Sequence, residues 1–308
     1  MIKPTLGASI TGVGSFALVT AIAALTAALA VADVFKIEDN VNLVLLDVSV
    51  KNRHGMYVSG LSRSDFRVYE DGHPRDITQF DETDTPVTIG LVVDNSGSMR
   101  AKRPEVILAG LAFAKQSNPK DEFFVVNFNN SVVCGLPPRM PFTDDLQTLR
   151  AALYYGEPTG QTALYDAIAY ALKHLELAHR DQRTLIVISD GGDNVSHIGF
   201  AELMKMIEGS RATIYTIGSY DPADHDLNPG VLRKMSSISG GQFFEPQNLS
   251  DVVPVFEKIS KDIRSRYTIG FVPDLTNDNR VIRNVRVVAA KDNHKLAVRA
   301  RTTYIAAH

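Results

Sequence analysis

Asp94, Ser96 and Ser98 stand at alternate positions in the run Val92-Val93-Asp94-Asn95-Ser96-Gly97-Ser98-Met99. A carboxylate and two hydroxyls spaced this way converge on one point if their loop curls around it. The set is all hard oxygen, which suits Mg²⁺ better than zinc or copper. Two later stretches can add to it. Thr162, in Gly160-Gln161-Thr162-Ala163-Leu164, brings a hydroxyl. Asp190, in Ser189-Asp190-Gly191-Gly192-Asp193, brings a second carboxylate. Each has an ordinary explanation when taken alone: the hydroxyls as helix N-caps, Asp190 as a turn residue before two glycines. The three loops together, each at a strand end or a helix start, are harder to explain that way.

The elements that would hold these residues are legible from hydrophobic pattern. Thr88–Val93 is apolar on both faces, as a buried parallel strand must be. Strands are expected at Phe123–Phe128, Thr184–Ser189, Thr213–Ile217 and Gln242–Phe244. Helices are expected at Pro104–Gln116, Leu146–Tyr155, Thr162–Leu177, Gly199–Gly209, Asn228–Ser236 and Ser250–Ser265. The proline opens the first of these where a missing N–H costs nothing, and a glycine is expected to close the fourth. Alternation of this kind predicts an α/β fold with a doubly wound, mostly parallel, Rossmann-like sheet. In such sheets ligands sit past the carboxyl ends of the strands, where Asp94 and Asp190 fall.

Both flanks are β-rich. Before Pro86 lie Val41–Val50, Phe66–Tyr69 with a Glu70-Asp71-Gly72 hairpin signal, and Asp76–Phe80. After Ser265 lie Tyr267–Val272, Val281–Val288 and Leu296–Arg301, with a polar, turn-like stretch from Pro273 to Arg280. Three short strands do not make a stable unit. The economical arrangement pairs the two flanks into one β-sandwich, with the α/β unit inserted between them. The expected organisation is therefore a leader at 1–33, a β-rich region at 34–85, the α/β domain at 86–265, and a second β-rich region at 266–308.

From Pro4 to Ala32 there is no charged residue, and small-x-small cleavage patterns end the run at Ala28-Leu29-Ala30 and Ala30-Val31-Ala32. The expectation is an exported chain: secreted, periplasmic, or anchored in the inner membrane by residues 4–32. The 308 residues carry a net charge of −3, which gives no sign of a nucleic-acid partner. Cys134 is the single cysteine, so no intramolecular disulfide can form. No Walker loop, zinc spacing or Ser-His-Asp order is present; His174 and His179 are five apart, and His197 is the one histidine close to these loops. The acidic loop Tyr220–Pro229 follows a strand and is expected to border the site, and Arg100, Lys102 and Arg103 follow the Asp94 loop, where they could attract an acidic partner.

Asp94-x-Ser96-x-Ser98, then Thr162, then Asp190, with the phrases VVDNSGSM, GQTALYDAI and VISDGGDN, resembles the metal-ion-dependent adhesion site of von Willebrand factor type A domains. The likeness spans roughly Pro86 to Ser265, and no ligand position departs from the motif. The flanks VNLVLLDVSV, LSRSDFRVYEDG and RSRYTIGFVP are similar to those of a bacterial subgroup first recognised in acidobacteria. The resemblance implies that Ser96, Ser98 and Thr162 bind a metal through hydroxyls. Asp94 and Asp190 would bind it directly or through water. Mg²⁺ is the expected ion, with Mn²⁺ or Ca²⁺ as alternatives. An Asp or Glu of another protein would complete the coordination, which makes the chain a binding module rather than an enzyme. The competing readings are an assembly subunit with a stabilising metal and, third, a metal-dependent hydrolase.

Overall fold

The structure, a computed structural model, describes residues 43–82, 84–218, 228–274 and 281–306. The leader at 1–33, most of the acidic loop Tyr220–Pro229, and most of the polar stretch Pro273–Arg280 lie outside the described residues.

The α/β unit is built on a six-stranded sheet. Its strands are β5 (Val87–Asp94), β6 (Glu122–Phe128), β7 (Val132–Cys134), β8 (Gln182–Ser189), β9 (Thr213–Gly218) and β10 (Phe243–Phe244). Their spatial order is β10-β9-β8-β5-β6-β7. All neighbours are parallel except β6 and β7. Six helices accompany the sheet: α1 (Arg103–Gln116), α2 (Leu146–Leu153), α3 (Leu164–His174), α4 (Phe200–Gly209), α5 (Pro229–Ser239) and α6 (Val252–Arg264). They fall into two packed series, α6-α1-α2 and α3-α4-α5. Every residue of β5 is buried, because strands flank both its edges and helices cover both faces. That is why its sequence is apolar throughout rather than alternating.

Three details differ from the sequence expectation. The helix expected from Thr162 starts at Leu164, with Ala163 as its N-cap, so Thr162 stays in the preceding loop. Gly209 is the last residue of α4, and Ser210 takes the C-cap position. The edge strand β7 falls in a stretch with no assigned element; three residues are too few to show a period.

The flanks pair with each other. One sheet has the order β14-β1-β11-β4, made of β1 (Val44–Lys51), β4 (Ile77–Asp81), β11 (Arg266–Phe271) and β14 (Ala297–Arg299). The other runs β13-β12-β2-β3, made of β2 (Phe66–Glu70), β3 (His73–Arg75), β12 (Ile282–Lys291) and β13 (His294–Lys295), and β15 (Thr303–Ile305) adds to β12. β1 lies antiparallel to β11, with Leu46 opposite Ile269 and Val48 opposite Tyr267. Strand alternation sends Leu46, Val48, Phe66, Val68, Ile269 and Val285 into one shared core. Asp71 and Gly72 join β2 to β3 with φ of 48° and 87°. Two positive φ values match the type I′ turn favoured by Asp-Gly hairpins. The stretch expected as one strand over Leu296–Arg301 divides, because β14 crosses to β1 and β15 returns to β12.

Buried charges join the two units. Asp262 on α6 accepts hydrogen bonds from Ser49 Oγ at 2.5 Å, from Tyr215 and from Arg299. Arg266, 4% exposed, reaches Asp47 at 3.4 Å and donates to Tyr215. Among the described residues no helix is long and apolar enough to cross a membrane.

Candidate metal centre

β5 is where the sheet reverses its winding: α1 leads from it to β6 on one side, and β8 lies on the other. The carboxyl ends of β5 and β8 therefore flank the switch point, the site at which open α/β sheets bind ligands. Asp94 is the last residue of β5, and Asp190 follows the last residue of β8.

These two ends are stitched together through oxygens. Ser96 Oγ and Ser98 Oγ lie 3.1 Å apart, and Ser98 Oγ donates to Asp190 Oδ2 at 2.8 Å. Asp94 Oδ1 accepts from the Ser96 amide at 2.8 Å, which curls the loop back on the strand. Asp94 Oδ2 accepts from Ser189 Oγ at 2.7 Å. Asp94, Ser96 and Asp190 are buried and Ser98 is half-buried, so the cluster opens outward at Ser98. Ser96 precedes a single 3-10 turn, Gly97–Met99, without capping it by its side chain. Its hydroxyl faces Ser98 instead.

Thr162 stands on the adjoining loop. Asn194, four residues past Asp190, holds it from both sides. The Thr162 amide donates to Asn194 Oδ1 at 2.9 Å, and the Asn194 amide donates to the Thr162 carbonyl at 3.0 Å. The same loop meets the Asp94 loop where the Gly97 amide donates to the Gly160 carbonyl at 3.1 Å. Thr162 is thus fixed between the other two loops by backbone. Its hydroxyl has no hydrogen-bond partner among the described residues.

Several supporting residues were not singled out in the sequence. Ser189 bonds Asp94 while its own oxygen accepts from the Gly191 amide at 3.1 Å. Gly191 has φ +85°, and a Cβ there would lie 2.5 Å from the Asn228 carbonyl oxygen. Asn95 binds three ways: its amide to Phe128 O, its carbonyl to the Thr159 amide, and its Nδ2 to Tyr155 O. The one signal for these was position, since Asn95 and Ser189 adjoin predicted ligands.

Arg100 and Arg103 have a structural task. Arg100 Nε and Nη2 donate to Pro158 O at 3.2 Å, and Arg103 Nη2 donates to Tyr155 O at 3.0 Å. They clamp the 153–158 carbonyls onto the segment that follows the Asp94 loop. The His197 side chain is 92% exposed, and its Nδ1 lies 2.8 Å from Asp166 Oδ2.

Burial pushes the Asp94 carboxyl up to about 6, hydrogen bonds from Ser96 and Ser189 oppose this, and the Asp190 charge adds to it. Bringing two carboxylates together in a buried place is unfavourable without a cation. A divalent ion meets that demand, and the surrounding hydroxyls offer it neutral oxygen. Among the described residues no three His, Cys, Asp or Glu side chains are grouped so as to hold a metal ion by themselves. The donor set is two acids supplemented by hydroxyls, which fits an ion that prefers few carboxylates and keeps its waters.

Residues 89–192 match the family model of the von Willebrand factor type A domain. No curated protein sequence matches the chain. Among solved structures, a von Willebrand factor type A protein from Catenulispora acidiphila aligns at 15% identity with a TM-score of 0.52, covering 86% of this chain and 74% of its own. The von Willebrand domain of the type V pili tip protein Mfa5 from Porphyromonas gingivalis aligns at 15% identity with a TM-score of 0.46, covering 58% and 95%. An aerotolerance-related membrane protein from Bacteroides fragilis aligns at 16% identity with a TM-score of 0.47, covering 57% and 98%. The first of these likenesses speaks for the fold. With the family match over β5 to β8 and the doubly wound sheet, it leads to one conclusion: the α/β unit has the fold of a von Willebrand factor type A domain, and residues 89–192 match that domain's family model.

Proposed function

We propose that this chain is an exported protein-binding module of the adhesion type, which takes its partner through a divalent metal, Mg²⁺ in the first place. Asp94, Ser96, Ser98, Thr162 and Asp190 hold the ion at the carboxyl-end rim. The observation that carries this reading is the buried oxygen chain Ser189–Asp94 and Ser96–Ser98–Asp190, which joins two strand ends at the switch point. Two carboxylates neutralise a divalent ion, and the remaining protein ligands are neutral. A site that is half-open at Ser98 leaves room for a further carboxylate, supplied as an Asp or Glu of the partner. The ion itself supplies the Lewis acidity that attracts that carboxylate. Von Willebrand factor type A domains generally serve as interaction modules, which favours binding over catalysis.

Capture of partners on immobilised full-length chain tests this. Binding that is lost in EDTA, restored by Mg²⁺, and absent for Asp94→Ala is the expected result. Binding indifferent to EDTA and to Asp94→Ala would contradict it.

A further inference from the structure

A second polar cavity lies at the opposite end of the α/β sheet from the metal loops. Its volume is about 290 Å³. It opens where the amino-terminal ends of β8 and β9 meet β1, β4 and β11 of the sandwich, and its walls include Gln182, Thr213 and Thr268. Clefts between packed units are common ligand sites.

Three arginines line it: Arg180, Arg211 and Arg301. None of them makes an ion pair among the described residues. Arg301 is only 9% exposed, and its Nη2 donates to the Ile207 carbonyl at 3.3 Å and the Glu208 carbonyl at 3.5 Å, near the end of α4. Its Nε is buried with no hydrogen-bond partner. Arg180 donates to the Lys120 carbonyl at 3.1 Å, and its Nε is likewise buried without a partner. Thr85 Oγ1, also on the wall, is a third buried group with none. Arg211 is exposed and makes no hydrogen bond among the described residues. Burial holds the Arg301 guanidinium down at about 10, with Asp47 opposing and Arg211 adding to the effect.

Acids share the walls at Asp47, Asp81 and Asp181. Asp47 is engaged by Arg266, Asp81 has contacts of its own on β4, and Asp181 is exposed. What stays unmet on the walls is hydrogen-bond acceptors for the buried Nε groups of Arg301 and Arg180. Asp47 offsets part of the buried Arg301 charge from a distance, but among the described residues no carboxylate accepts a hydrogen bond from Arg301. An anionic acceptor meets both the N–H groups and the remaining charge, where water meets only the first.

We propose that this cavity is a binding site for a compact oxyanion, a phosphate or carboxylate group, held by Arg301 with Arg211 and Arg180. The volume accommodates such a group with several waters, each taking about 30 Å³. The site is independent of the metal loops and of the function proposed for them.

The test is a thermal melt of the full chain in EDTA, which removes any contribution from the metal site. One arm titrates inorganic phosphate, another succinate, and both are matched in ionic strength with potassium chloride. A saturable rise of about 2–4 °C once the anion exceeds its dissociation constant about fivefold is expected in at least one arm. The arm with the larger rise identifies the group. The rise is expected to vanish in Arg301→Gln and to need at least tenfold more anion in Arg211→Gln, an exposed position that leaves the fold intact. No saturable rise in either arm overturns the proposal. A rise unchanged in Arg211→Gln overturns it as well, since that is an adventitious ion only.

Discussion

At the scale of single residues, the site depends on how Asp94 is held as much as on its charge. Ser189 donates to one oxygen of Asp94 and the Ser96 amide to the other, so the carboxylate is fixed in rotation. Partners of this kind orient metal ligands, and losing one costs roughly 10–100-fold in affinity. Ser189→Ala is accordingly expected to weaken Mg²⁺ binding by that factor in a calorimetric titration while the chain stays folded. An unchanged dissociation constant would mean that the bond does not orient the ligand. Gly191 has a different role. Its φ of +85° and the approach of the Asn228 carbonyl leave no room for a side chain. Gly191→Ala should destabilise the fold by about 1–3 kcal/mol, read from urea denaturation, because strain and a backbone clash add.

At the scale of elements, the sequence spoke most clearly where one physical cause dominates. β5, β6, β8 and β9 were legible because strands buried on both faces read as unbroken apolar runs. α3 and α6 were legible from one apolar face each, and the β2–β3 turn from Asp71-Gly72. Of the candidate ligands, Asp94, Ser96, Ser98 and Asp190 meet in one hydrogen-bonded chain, and Thr162 lies on a loop tied to both ends of it. β7 was not legible, since Val132–Cys134 is too short for a pattern. Nor was the division of Leu296–Arg301, because tertiary pairing decides it: β14 adds to β1 and β15 to β12. The clamp of Arg100 and Arg103 on the 153–158 carbonyls was equally hidden, since backbone acceptors leave no mark on sequence. Arg103→Ala is expected to loosen that segment, with faster amide hydrogen exchange over 154–160 and little change elsewhere. Uniform protection in the variant would deny the clamp.

At the scale of the whole molecule, the seam between sandwich and α/β unit carries the least replaceable charges. Burial alone would raise the Asp262 carboxyl. The guanidinium groups of Arg299 and Arg266, with hydrogen bonds from Ser49 and Tyr215, outweigh it and hold the pKa at about 2. A carboxyl held below its unfolded value stabilises the fold above pH about 4, and that contribution is lost as pH falls towards 2. Asp262→Asn leaves two arginines facing a neutral amide and should cost about 3–5 kcal/mol at pH 7. The advantage of the wild type over this variant, measured in urea, is expected to shrink by on the order of 2 kcal/mol between pH 4 and pH 2. A difference that stays constant over that range would show that Asp262 is not charged in the fold.

The loops after β5 and β8, with Thr162, are proposed to form a site for a hard divalent ion. A thermal melt of the full chain, first in EDTA and then with Mg²⁺, Mn²⁺ or Ca²⁺, tests this most directly, run beside Asp94→Ala. An ion that binds only the folded chain raises the melting temperature with its concentration. Such a rise is expected in the wild type and not in Asp94→Ala. A wild type that melts at the same temperature with every ion up to millimolar levels would contradict the proposed site.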